Sequence, residues 1–175
     1  MAILAKDSGG GDFVNAPAGA HPAVCCDVVD LGVMKVVYGG KEKQQHKIRI
    51  VWQLEEMDPN GKPFRVQKRY TLSLHEKAQL RKDLESWRGR PFEEADLKDG
   101  FDVEKLLSVG CFLNVIHEIK DQKTYANVTA IMRLPKGVET PTVRDYVRVC
   151  DRQPAEGIAA PDFGEFHADD SDVPF

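Results

Sequence analysis

The sequence predicts a small all-β barrel of five strands with a helix between the third and the fourth, and three observations point to it. Residues 46–54 alternate apolar and polar in the manner of a half-buried strand. A second alternating run, 64–72, follows across Asp58-Pro59-Asn60-Gly61, a strong hairpin turn signal in which Asn-Gly can take positive φ. The apolar period then changes, with Leu80, Leu84 and Trp87 recurring at helical spacing.

The elements can be justified in order. Residues 23–33 (Ala-Val-Cys-Cys-Asp-Val-Val-Asp-Leu-Gly-Val) are rich in β-branched and apolar types and form the first strand. Gly32 would allow the bend or bulge by which one long strand serves both sides of a barrel. Gly39-Gly40 marks a turn into a charged loop, 41–45. In the second strand, Ile48, Ile50, Trp52 and Leu54 share one face, and Lys47, Arg49, Val51 and Gln53 the other. In the third, Phe64, Val66, Tyr70 and Leu72 make the inner set, and Arg65, Gln67, Arg69 and Thr71 the outer. Lys68 falls on the inner set, so it lies at a barrel mouth or a bulge shifts the register. Ser73-Leu74-His75-Glu76 reads as a capping box opening the helix, which Gly89 ends before Pro91. Asp102 would cap a second short helix running to Leu107. Residues 111–119 and 125–134 are the fourth and fifth strands, joined by a turn at 120–123, and 141–150 could add an edge strand. Three strands, a helix, then two strands is the order of an OB-fold, although an α+β sheet of other topology would give the same string, and a fold does not by itself assign a function.

Composition divides the chain into a disordered lead-in (1–21), one domain (22–150) and a disordered acidic tail (151–175). No run of eighteen apolar residues and no apolar signal stretch occurs, so the expected location is the cytoplasm. Cys25, Cys26, Cys111 and Cys150 lack C-x-x-C spacing and read as reduced, mostly buried thiols, with no metal and no cofactor expected. The net charge of −4 hides a polarity: residues 151–175 carry −6, whereas 35–90 hold 14 Lys/Arg against 7 Asp/Glu. A basic domain tethered to an acidic tail suits phosphates at one end and basic partners at the other.

The five histidines are scattered, and neither a phosphate-cradling glycine loop nor a nucleophile elbow is present, so no catalytic residue is expected. Single-stranded nucleic acid, in contrast, needs a cationic groove and aromatic faces on which bases stack. The second and third strands supply Lys47, Arg49, Arg65 and Arg69 on one face, with Trp52, Phe64, Tyr70 and Lys68 interleaved. The loops add Lys41, Lys43, Lys62 and Tyr38. By parity Trp52, Phe64 and Tyr70 lie with the aliphatic set, so each is as readily core as stacking platform. The basic residues are on the opposite parity, and Arg can stack on bases as well as contact phosphate.

The sequence closes on Asp169-Asp170-Ser171-Asp172-Val173-Pro174-Phe175, an apolar plug among carboxylates that a hydrophobic pocket rimmed by Lys or Arg would capture. This stretch resembles the acidic C-terminal tip of bacterial and phage single-stranded DNA-binding proteins, with Val173 in the usual Ile/Leu place. Residues 46–54, 68–90 and 111–117 are also similar to phage and prophage OB-fold proteins that bind single-stranded DNA. The resemblance implies a replication or recombination accessory protein whose partners are single-stranded DNA and, through Asp169, Asp170, Asp172, Val173, Pro174 and Phe175, replication or repair enzymes. Two other readings stand beside it: a protein-interaction OB domain that docks acidic proteins or a nuclease, and single-stranded RNA binding. An exposed edge strand could in addition pair two copies into a homodimer.

Overall fold

The computed structural model of the protein describes residues 14–152. Five antiparallel strands, β1 (Gly19–Tyr38), β2 (Lys41–Met57), β3 (Pro63–Thr71), β4 (Gly110–Lys120) and β5 (Lys123–Met132), form one sheet in the order β3-β2-β1-β4-β5. Two helices, α1 (Gln79–Arg88) and α2 (Glu94–Asp99), and a 3-10 turn (Val103–Leu106) lie between β3 and β4. The result is an all-β, OB-like fold whose edge strands β3 and β5 come into contact without hydrogen-bonded pairing, so the barrel stays open.

β1 is the long strand that serves both sides. Its start pairs with β4 from Gly19 to Val24, and from Ala23 onward it pairs with β2. Extra residues at Cys26 and Leu31 interrupt that ladder, and Gly32 sits at the second interruption with φ +74°, as its expected role at a bend requires. Gly39 and Gly40 both take positive φ, the geometry of a tight two-residue hairpin whose twist matches its strands. The residues expected as a charged loop, 41–45, therefore belong to β2. β3 ends opposite Lys47 and β4 stops at Val24, so residues 32–47 project as a two-stranded ribbon.

The core follows the parity of the strands. Ile48, Ile50, Trp52, Leu54, Val66 and Tyr70 pack with Leu80, Leu84 and Trp87 of α1 and with Cys111, Leu113 and Val115 of β4. The Trp52 and Trp87 rings meet at 6.1 Å. Three cysteines are buried and Cys150 is exposed; burial pushes the Cys25 and Cys26 thiols up to about 12. Among the described residues no helix is long and apolar enough to cross a membrane.

Several expectations need correction. The helix opens not at Ser73 but at Gln79, after Ala78, and Ser73 Oγ instead accepts from His75 N–H in a turn. The reciprocal capping box belongs to α2, between Glu93 and Asp96, and Leu74 joins the core in the connection that replaces the missing helical turn. The helix expected from Asp102 is a single 3-10 turn, with Asp102 accepting from Glu104 N–H. Part of the segment expected as lead-in belongs to the fold: β1 begins at Gly19, Ala16 is buried, and His117 Nε2 contacts the Ala16 carbonyl at 2.7 Å, while residues 1–13 lie outside the described residues.

Residues 141–150 are not an edge strand. With their neighbours they form a strap that crosses the outer face of the sheet, and a Cβ at Gly110 would overlap Leu134 and Thr140 where it starts. The strap then meets Gln53, which donates to the Thr142 carbonyl (3.0 Å) and accepts from Arg144 N–H (3.1 Å). It ends on Asp27, a buried carboxylate that accepts from Tyr146 O–H (2.8 Å), Val149 N–H (2.8 Å) and Arg148 Nε (3.3 Å). Burial alone would raise the Asp27 carboxyl, but these three donors together hold it below its usual value.

Candidate nucleic-acid interface

In an antiparallel ladder, directly paired residues share a face, and β2 carries no extra residue against β1 from Lys41 to Gln53. One face of β2 therefore presents Lys41, Lys43, Gln45, Lys47, Arg49, Val51 and Gln53. Their partners on β1 extend the surface: Tyr38 beside Lys41, Val36 beside Lys43, Met34 beside Gln45, and Val29 beside Arg49. On β3, Thr71 stands beside Lys47 and Arg69 beside Arg49. None of the residues paired from Lys41 to Arg49 on this face is acidic. Asp30 lies with the opposite set, beside Ile48, where it contacts His46 at 2.6 Å.

The centre of this surface is the Arg49–Arg69 pair. Like charges placed directly opposite each other on a sheet repel and destabilise it. Partial desolvation, and then the Arg49 charge, pull the Arg69 guanidinium below its usual value. Arg49 Nε is buried and finds no acceptor among the described residues. An anion bridging the two guanidinia would relieve both the repulsion and the unmet donor. Next to them Lys47 Nζ is fixed by the Thr71 hydroxyl at 2.7 Å. Lys41 and Lys43 continue the row outward along the ribbon, about 20 Å from Lys47 to Lys41 at strand rise, and half-exposed Tyr38 ends it.

The fold thus brings Lys41, Lys43, Lys47, Arg49 and Arg69 onto one face. The other sequence-derived candidates lie elsewhere. Trp52 (0 % exposed) and Tyr70 (1 %) are core residues with no ring face open to a base. Lys68 does lie at the barrel mouth, without a bulge, but α1 closes that mouth: Asp83 accepts from Lys68 (2.9 Å), Tyr70 O–H (2.7 Å) and Gln79 (2.7 Å). Arg65 is on the predicted face yet holds the strap, donating to the Asp145 carbonyl at 2.6 Å and stacking over Tyr146 at 5.0 Å. Lys62 sits in the turn after β2, at the opposite end of that strand from Lys41. Asp169, Asp170, Asp172, Val173, Pro174 and Phe175 lie outside the described residues.

Sequence reasoning placed Tyr38 in a loop rather than at the end of a ribbon, because a two-stranded extension with exposed valines has no half-buried alternation to reveal it. It also missed the strap's fastenings. Their signal was present in Asp27, a carboxylate inside the otherwise apolar run Ala23–Val29, and in Gln53 among core residues. No protein-family model matches the chain, and no curated protein matches it significantly.

Proposed function

We propose that the protein binds single-stranded DNA with little sequence preference and coats exposed strands during phage or mobile-element replication or recombination. It works as a binding protein rather than an enzyme, in the cytoplasm of a bacterial host, and its acidic segment recruits partner enzymes. The observation that carries the reading is the row Lys41–Lys43–Lys47–Arg49, with neutral Gln45 between Lys43 and Lys47 and Arg69 opposite Arg49, on a face whose paired residues include no acid. Phosphates laid along that row would release condensed counterions, the main source of sequence-independent affinity. Tyr38 offers a ring for base stacking at the row's outer end, and the row presents few polar side chains able to read base edges.

Fluorescence anisotropy titrations of the full chain with oligo-dT, oligo-rU and duplex DNA at two salt concentrations test the proposal. Five phosphate contacts to a single strand predict a slope of log K against log salt of about −3.5, with oligo-dT preferred over duplex. Equal binding of oligo-rU would widen the ligand to RNA. Absence of binding to all three would overturn the proposal and leave a protein-docking role for the same face.

A further inference from the structure

The row of cations is interrupted once, at Gln45, the neutral residue between Lys43 and Lys47. Alternate residues of a strand lie about 6.8 Å apart on one face, so the two lysines flank it directly. Two contacts fix how its amide is turned. An ammonium group only donates, so the Thr71 hydroxyl oxygen accepts from Lys47 Nζ at 2.7 Å. That hydroxyl must send its own proton elsewhere, and Gln45 Oε1 at 3.4 Å is the acceptor it meets among the described residues. The Gln45 carbonyl oxygen is thereby turned toward Thr71. Its Nε2 carries two N–H donors and has no partner among the described residues. Exposed Met34, paired with Gln45 on β1, gives this position an apolar flank.

A free carboxamide matches adenine through two bonds, accepting from the N6 amino group and donating to N7. With its oxygen committed to Thr71, Gln45 keeps only the donor half of that pattern. Thymine and guanine present a carbonyl acceptor at the same edge, O4 and O6, where cytosine and adenine present an amino donor. Donor facing donor leaves both unpaired, and an unmet polar group costs more than a made bond returns. We propose that Gln45 is the specificity-determining residue of the single-strand site. With Lys43 and Lys47 on the flanking phosphates, its Nε2 donates to the carbonyl of one base and favours keto bases over amino bases at that position. Thr71 is a positioning residue, acting through the amide that it holds.

This inference rests on the DNA reading above and names the strands that the site prefers. Phosphate contacts carry no base information, so the remaining cations of the row are indifferent to sequence and the preference is confined to one position. A preference set by stacking alone follows the size and flexibility of the base, and so separates purines from pyrimidines. The amide of Gln45 instead separates thymine from cytosine, two pyrimidines that differ at the carbonyl it reads.

Anisotropy titrations of the full chain with oligo-dT, oligo-dU and oligo-dC of equal length, at neutral pH and one salt concentration, test this. Oligo-dT and oligo-dU share the O4 carbonyl and should bind alike, about fivefold tighter than oligo-dC, the worth of one neutral hydrogen bond. Gln45→Ala, a change on the projecting ribbon, should bring the ratio of the oligo-dT to the oligo-dC affinity to about one. Thr71→Val frees the carboxamide to turn over and should erase the difference as well, whereas Thr71→Ser keeps the hydroxyl and should preserve it. Equal binding of oligo-dT and oligo-dC by the wild type would overturn the proposal while leaving the DNA reading intact. A difference that survives Gln45→Ala would do the same. Oligo-dT bound tighter than oligo-dU would assign the preference to the thymine methyl against Met34 and would also overturn it. Failure of all three oligomers to bind would overturn the DNA reading, and this inference with it.

Discussion

The outer face of β2 carries one alternation from Lys41 to Gln53, yet its two halves meet different surroundings. Over Val51 and Gln53 lies the strap, whose backbone is satisfied by the Gln53 amide, the Arg65 guanidinium and the Asp27 carboxylate. From Arg49 to Lys41 the same face carries four cations and is bounded by Arg69, Thr71 and the ribbon. The chemistry of each half explains the contrast. Neutral groups with matched donors and acceptors can be covered at little cost, whereas a row of cations can be covered only by a counter-charge. What the protein buries with its own chain and what it leaves for a ligand are thus separated by side-chain type along a single strand.

The largest expected effect breaks the covered half. Asp27→Ala removes the acceptor of three donors and should destabilise the fold by roughly 3 kcal/mol. Urea denaturation would read this, with faster amide exchange at Val149, while oligo-dT affinity of the folded protein stays near wild type. Lost affinity would mean that the halves are coupled. A smaller effect sharpens the bare half: Tyr38→Ala should weaken oligo-dT binding by about 1–2 kcal/mol, the loss of one stacked base, with no change in melting temperature. Smallest is the pH response of the strap. The folded Asp27 value lies below that of the unfolded chain, so its contribution is complete above about pH 4 and fades as pH falls through the depressed value. Exchange at the strap amides should accelerate only in that acidic range; acceleration between pH 5 and 7 would assign the fastening to another group.

Periodicity made the barrel legible. Alternation at 46–54 and 64–72, helical spacing at Leu80, Leu84 and Trp87, and the turn at Asp58–Gly61 reproduce the strand order and most of the core. The basic row was legible for the same reason, because parity alone assigns Lys47, Arg49 and Arg69 to one face. Contacts between residues far apart in sequence were not. The fastening of 142–149 to Asp27 and Gln53 leaves no periodic trace, so Val51 and Gln53 read as exposed and 141–150 as a strand. Lys68 and Arg65 carry the same charge as Arg49, and only Asp83 on a distant helix and two strap carbonyls divert them from a surface role. The aromatic question was decided by burial: Trp52 and Tyr70 complete the core, and Tyr38 at the ribbon's end remains accessible.

The claim that cations on the bare half form the DNA interface can be measured in the Arg49→Ala/Arg69→Ala variant by titrating oligo-dT across a salt series. Removing two phosphate contacts should weaken binding by about 3 kcal/mol, roughly a hundredfold, and flatten the salt slope by about 1.4. Relief of the cross-strand repulsion should leave the melting temperature unchanged or raised. Wild-type affinity with an unchanged slope in the folded variant would contradict the assignment of this face to DNA.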